Sequence, residues 1–398
     1  MFKDSNTVYG GVNSLNQVKI PKLHTFSDEL AALVPKEKIY LIHYEETAMS
    51  EVCRVRERLG LEGPYLEDVK HMRQKELIYE KAVEAGIPVP KTVHVDFSTL
   101  ISSDKIKEKI MAKIKTFPMF TKPTMMVGGM GGAVLKDERD LDNWIDAHLC
   151  DASRSTYLVQ EYVKGAEFSV TVVLLQNGTW KPLYVNHNRP CAESNLHKSL
   201  VKGRPTVFVN DYLKSFPGMY EFVEKVIDTF EPPHPQIFVV QGFFNDKKPD
   251  RYILVEMDYR PPGMPLNRSV CAISGMPSPP NDTFQGYLGV HFNTALMLAH
   301  MDKNYNADPN PSFSFKHYAS IYYPHKTGIL VRHNEEPKKP QISGTVQIEW
   351  IAKAGAEMRE TTSMCSLICW LLLESPSDEE LQKDIKWICD NWAPDVRI

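Results

Sequence analysis

The sequence predicts an α/β protein with antiparallel hairpins at its centre. Short apolar runs alternate with segments whose apolar residues recur at helical spacing. Residues 167–175 (EFSVTVVLL) are rich in β-branched side chains, and the dipeptide Asn177-Gly178 joins them to residues 180–185 in the pattern of a hairpin. The chain has 398 residues, 42% of them apolar and 24% charged. That supplies a large core and more than one domain without help from disulfides or metal.

The elements follow in order. The first 35 residues show no strong periodicity, and residues 38–44 (KIYLIHY) are expected to form a buried strand. Residues 47–59 are expected to be helical, with Met49, Val52, Val55 and Leu59 on one face and Gly60, Gly63 and Pro64 as the stop. Residues 66–85 read as one or two helices, ended by Gly86-Ile87-Pro88-Val89-Pro90, and residues 92–97 as a strand. A helix over 106–115, a strand over 118–122, a glycine cluster and a strand over 133–135 come next. Residues 141–149 read as a helix and 157–162 as a strand that runs into Lys164-Gly165. Beyond the central hairpin, residues 186–204 are polar and read as a long loop. A helix over 220–230 precedes strands over 237–244 and 252–258. Residues 261–280 are rich in proline and glycine, and a helix is expected over 289–300. The remainder reads as strands followed by helices near 363–373 and 378–391, with Trp370, Trp387, Trp392, Cys365, Cys369 and Cys389 as core residues.

Composition narrows the partners. The net charge is −4, from 46 basic and 50 acidic residues, which gives no support to a nucleic-acid platform or a polybasic membrane anchor. The seven cysteines are scattered without a C-x-x-C pair, so neither a zinc site nor a disulfide framework is indicated, and a reducing cytoplasm is the simplest compartment. Residues 1–10 lack the apolar core of a signal peptide, and the longest apolar run, 367–373, is far shorter than a membrane span.

Three constellations could carry chemistry. Lys122 is followed by Gly128, Gly129, Met130, Gly131 and Gly132 between two strands. Such a backbone can approach a ligand closely and offer N–H groups to phosphate oxygens; the same residues also fit a flexible hairpin turn. The spacing matches neither a Walker A loop nor a dinucleotide fingerprint. The second constellation is Glu161, Val163 and Glu167, at a strand end and the start of the next strand. It fits recognition of an adenine and a ribose, or equally a charged sheet edge. The third is Gln241, Glu256, Asp258 and Arg260. Glu256 and Asp258 lie two apart on a strand, so both carboxylates point to one face and suit Mg²⁺. Arg260 continues the same alternation, and an exposed acidic strand face is the competing account.

Taken in order, these motifs resemble the ATP-grasp family. Residues 117–135 match its apolar-Pro-x-x-x-Lys-Pro pattern with a following glycine loop, and residues 159–173 its Glu-Tyr-x-x-Gly-x-Glu-x-Ser-Val pattern. Residues 254–263 match Glu-x-Asn-x-Arg-x-x-Gly, with Asp258 in place of the usual Asn, and residues 72–90 resemble the helix whose lysine reaches the nucleotide phosphates. The resemblance implies a short N-terminal α/β unit (1–70), an ATP-grasp core (71–300, with a nucleotide lid about 100–165 and a metal-binding part about 166–300) and a C-terminal α+β extension (301–398). It implies that Lys75 and Lys122 contact ATP phosphates and that the loop from Gly128 to Gly132 folds over them. Glu161 and Val163 would face adenine and Glu167 the ribose. Gln241, Glu256 and Asp258 would hold Mg²⁺ or Mn²⁺, and Arg260 would steady the transferred phosphoryl group.

The implied reaction activates a carboxylate as an acylphosphate and couples it to an amine, releasing ADP and phosphate. Little covalent chemistry is asked of the protein, consistent with the lack of a recognisable nucleophile–base pair. Arg268, Asn267, Arg189 and His187 are the candidates for holding the small-molecule carboxylate or amine. The short N-terminal unit leaves room for a second subunit, a homodimer, to complete the substrate surface. Two alternatives stand: a biotin-carboxylase-like subunit, and a non-catalytic ATP-binding regulatory or scaffold protein.

Overall fold

The computed structural model describes residues 28, 31–43, 46–72, 74–99, 102–124, 131–151, 155–188, 204–209, 211–247, 251–262, 292–308, 317–360 and 366–398. The chain divides into two compact units, residues 1–68 and 69–398. In the first, helix α1 (Glu46–Leu59) buries Met49, Val52, Cys53 and Val55 at helical spacing. Arg56, on the same helix, is also buried; its guanidinium donates to Pro64 O at 3.1 Å and to the carbonyl of Leu41. That contact accounts for one departure from expectation. Residues 39–43 form no strand, and the Leu41 carbonyl is taken by an arginine rather than by a ladder. Tyr44 lies outside the described residues.

The second unit begins with a short helical stretch and helix α2 (Lys75–Glu84). A small antiparallel sheet follows: β1 (Thr92–Asp96), β2 (Met119–Pro123), β3 (Ala133–Leu135) and β4 (Thr156–Glu161), in the order β1-β4-β2-β3. Helices α3 (Ser103–Lys113) and α4 (Glu138–Leu149) cover one face, where Val93, Val95, Ile106, Ile110, Met119, Leu141, Ile145 and Val159 form a core. Strand β2 alternates, with Met119 and Thr121 buried and Phe120 and Lys122 half-buried, so Lys122 points away from the helices.

A larger antiparallel sheet takes up the rest of the unit. Its strands are β5 (Ala166–Leu174), β6 (Trp180–Asn188), β7 (Arg204–Phe208), β8 (Gln236–Phe244), β9 (Tyr252–Asp258), β10 (His317–Pro324), β12 (Thr345–Trp350) and β14 (Leu367–Ser375), in the order β12-β14-β10-β7-β6-β5-β8-β9. Helix α5 (Met219–Phe230) buries Met219, Phe222, Val223, Val226, Ile227 and Phe230, and the rings of Phe168 and Tyr252 meet Phe222. Helix α6 (Phe292–Met301) packs on β5 and β8. Helix α7 (Asp378–Asn391), capped by Ser377, lays Leu381, Ile385 and Ile388 against Ala319, Ile321, Leu371 and Leu373. Strands β11 (Gly328–Arg332), β13 (Glu357–Met358) and β15 (Asp395–Arg397) form a third sheet, ordered β13-β11-β15. Residues 301–398, set apart by the sequence as an extension, thus contribute three strands to the large sheet.

Two further expectations are corrected. Residues 367–373, read as part of a helix, are the strand β14. It is buried on both faces between β10 and β12, and an apolar run without alternation does not distinguish such a strand from a buried helix. The polar stretch read as a loop from 186 begins as strand: β6 continues to Asn188, and β7 starts at Arg204. Its polar residues lie on a sheet face, so polarity alone misplaced the boundary.

The feature that sets the site is a bulge between β8 and β9. Gln241 pairs with Glu256, and Gly242 pairs with Leu254, which leaves Val255 as the extra residue. Gly242 permits this, because a Cβ there would lie 2.2 Å from Ile253 O. Gly165, where the chain passes from the small sheet to the large one, is similarly pressed: its Cβ would lie 2.6 Å from Phe244 O. Gly242→Ala is expected to lower the unfolding free energy by about 1–3 kcal/mol, as overpacking against backbone does. Urea denaturation checks this, and a change within ~0.5 kcal/mol would show that β9 shifts freely.

Candidate functional site

The site is assembled from three elements around the bulged residue. Out of ladder register, the Val255 carbonyl accepts the Tyr79 hydroxyl at 2.5 Å from α2 and the Lys122 ammonium at 3.3 Å from β2. Lys122 Nζ also donates to Tyr79 Oη at 3.1 Å. Lys75, one helical turn before Tyr79 and on the same face of α2, places Nζ 3.3 Å from Glu256 Oε1. The outer edge of β9 is held as well, since Leu254 N donates to Pro88 O at 2.8 Å. The Gly86–Pro90 turn after α2 therefore fastens the helix end to the strand that carries the carboxylates.

Glu256, Asp258 and Gln241 share one face of the large sheet. Gln241 Nε2 donates to Asp258 Oδ2 at 3.1 Å, and Arg260 donates to Asp258 Oδ1 at 3.1 Å and to Pro261 O at 3.0 Å. Three cations, Lys75, Lys122 and Arg260, thus meet two carboxylates. Burial pushes the Glu256 carboxyl pKa up, but Lys122, Lys75 and Arg260 outweigh burial and hold it below the usual carboxylate range. Burial likewise pulls Lys122 down, and Tyr79, Glu256 and Asp258 more than offset it, so the ammonium pKa is raised. Both groups are charged at neutral pH.

Among the described residues no three His, Cys, Asp or Glu side chains gather into a ready-made metal cage. Two carboxylates and a carboxamide on one face instead fit a hard divalent ion that takes its remaining ligands from phosphate and water. The surplus of positive charge suits a polyphosphate.

The other sequence candidates divide. Gly128, Gly129, Met130, Arg189, Asn267 and Arg268 lie outside the described residues. Gly131 adopts φ +72° against Pro123, and Gly132 leads into β3. The Glu161 carboxylate accepts Lys91 N at 3.0 Å, and the Glu161 N–H donates to Lys91 O, so this residue is tied to the neighbouring strand. Val163 lies in the 162–165 segment between β4 and β5, outside either ladder. Glu167 pairs with Phe243, two residues from Gln241, and so stands on the carboxylate face.

His187 does not join this group. It pairs with Phe168 and Val207 on the opposite face and contacts the Phe216 ring at 6.0 Å. There it borders a cavity of about 570 Å³ lined by Lys164, Phe216, Phe244 and Lys247. Its neighbour Asn186, which opens the polar stretch but is not singled out by the sequence, is the residue on the carboxylate face: it pairs with Ser169, which pairs with Gln241. Tyr79 was missed too; its signal was the four-residue spacing from Lys75.

No protein-family model and no curated protein matches the chain by sequence. Solved structures do match by shape. An L-amino acid ligase from Bacillus licheniformis superposes with TM-score 0.65 at 11% identity, covering 96% of this chain and 86% of that one. The chain has the ATP-grasp fold. A biotin carboxylase domain of 2-oxoglutarate carboxylase from Hydrogenobacter thermophilus, solved with MgADP and bicarbonate, gives TM-score 0.59 at 15% identity over 92% of this chain and 76% of that one. Carboxyaminoimidazole ribonucleotide synthase from Aspergillus clavatus, solved with ATP, gives 0.56 at 15% identity over 85% and 78%.

The lowered Glu256 pKa sets a sign for pH dependence. Stability from the ionised carboxylate is fully present above its unfolded-state pKa and is lost as pH falls through the lower folded-state value. Glu256→Gln is expected to lower stability by about 1–3 kcal/mol at neutral pH and to flatten the loss below about pH 5. Denaturant titrations from acid to neutral pH check this; an unchanged acid slope would mean that the carboxylate is not held by the lysines.

Proposed function

We propose that this chain is an ATP-dependent ligase that activates a small-molecule carboxylate as an acylphosphate and couples it to an amine. The observation that carries the reading is the convergence of Lys75 and Lys122 on the face holding Glu256 and Asp258. Cations and two carboxylates lying side by side on an ATP-grasp fold support this reading.

In this reading Lys75 and Lys122 bind the phosphates of ATP, and Arg260 faces the transferred group. Val163 and the segment around it border the adenine, and Glu167 faces the ribose. Glu256 and Asp258, with Gln241, would hold Mg²⁺, which would supply positive charge to offset that of the phosphates. The substrate carboxylate oxygen attacks the γ-phosphorus while the bond from that phosphorus to the β–γ bridging oxygen breaks, and ADP leaves. The amine nitrogen then attacks the acyl carbon, inorganic phosphate departs, and the nitrogen loses a proton. The side chains orient the reactants and offset developing charge; none becomes covalently attached. Arg268, Asn267 and Arg189 remain candidates for gripping the acid or amine.

The test is ADP release from Mg-ATP across a matrix of carboxylic acids and amines. Release that depends on one acid–amine pair is expected, falling ~100-fold or more in Glu256→Ala and in Lys122→Met. Release that survives both substitutions would contradict the proposal. Turnover driven by bicarbonate would favour the carboxylase alternative, and nucleotide binding without any release the non-catalytic one.

A further inference from the structure

The carboxylate face of the large sheet does not end at Gln241. Register places Glu256, Gln241, Ser169, Asn186 and Phe208 in one row across β9, β8, β5, β6 and β7. A second row runs from Asp258 through Val239 and Thr171 to Tyr184. Inward of the two edge carboxylates, neither row holds a charged residue.

Polar groups in these rows are deeply buried. Thr171 is fully buried and Asn186 is 3% exposed. Among the described residues, Asn186 Nδ2 has no hydrogen-bond partner. A buried amide left without a partner is costly, and such groups in native proteins usually meet a ligand or an ordered water. The position argues for a ligand. Adjacent strands are about 4.8 Å apart, so Thr171 lies roughly 10 Å from the Asp258 row end and Asn186 roughly 10 Å from Gln241. A divalent ion held by the edge carboxylates, with the phosphate it serves, would take up part of that span, and the inner polar groups lie beyond it.

We propose that Asn186, with Thr171 beside it, is the distal wall of the co-substrate site. The acid activated there then carries a neutral hydrogen-bonding group, a hydroxyl or carboxamide, a few bonds from its carboxylate. Asn186 donates to the oxygen of that group, and the Thr171 hydroxyl, which also engages Tyr184 on the paired strand, keeps one further hydrogen-bonding position for it. A charged tail is disfavoured because the inner rows supply no counter-charge. The inference rests on the ligase reading and names its substrate class.

The experiment uses the full chain saturated with Mg²⁺ and a non-hydrolysable ATP analogue, so turnover is not needed. Calorimetry is run with serine, threonine, asparagine and glutamine, and with alanine, valine, leucine and methionine as apolar equivalents. At least one hydroxyl- or carboxamide-bearing member should bind tenfold or more tightly than its apolar equivalent. Asn186→Leu, close in volume, should erase that preference while leaving analogue affinity within twofold. Ser320→Ala is the control: Ser320 Oγ, on the same face, is likewise buried without a partner among the described residues, but sits on β10, too many strands away to be reached. It should leave the preference intact. Equal binding of apolar and polar members, no binding by any member, or a preference that survives Asn186→Leu would overturn the inference; in the last case, a raised melting temperature would mark Asn186 as a core polar group. Failure of the analogue itself to bind would instead bring down the ligase reading, and this inference with it.

Discussion

The site depends on one carbonyl being out of register. Because Gly242 has no side chain, β9 can bulge at Val255, and the Val255 carbonyl turns from its ladder to α2 and β2. Tyr79 and Lys122 converge on that oxygen, and this brings Lys122 close enough to Glu256 and Asp258 to shift the ionisation of both Lys122 and Glu256. That carbonyl is the backbone group of the large sheet on which the lysine of the small sheet is anchored. Bulges commonly re-aim side chains at functional sites, and here the bulge re-aims a backbone acceptor.

The same arrangement explains the electrostatics. Two carboxylates on an edge strand would repel and draw protons if left alone. Three cations from three different elements keep Glu256 ionised, and their surplus charge is available to an anionic ligand. In the proposed reading, phosphate oxygens would compete for the contacts that Lys75 and Lys122 make here. Tyr79 then gives Lys122 a defined resting position, which limits the ordering entropy lost when a ligand arrives.

Much of this was legible in the sequence, for a physical reason: period-two alternation is local. Glu256 and Asp258 on one face of one strand follow from spacing alone, but Gln241 comes opposite Glu256 only through the bulge at Val255, which spacing does not reveal. Nor does spacing reveal the contact between Lys75 and Glu256, because it joins a helix to a distant strand through tertiary packing. His187 and Asn186 show the limit of residue type as a guide: the histidine looked chemical, yet register turned it to the opposite face and put the asparagine on the carboxylate side. Strand β14 was unreadable because burial on both faces removes alternation, and residues 39–43 because an arginine, not a strand, took the Leu41 carbonyl.

The cluster is proposed as a site for a nucleotide together with a divalent ion. Calorimetric titration of the wild-type chain with a non-hydrolysable ATP analogue, in Mg²⁺ and again in excess chelator, decides it. Saturable one-site binding in Mg²⁺ is expected, weakening at least tenfold, ~1.4 kcal/mol, when the ion is removed. Absence of binding, or equal affinity with and without the ion, would contradict it.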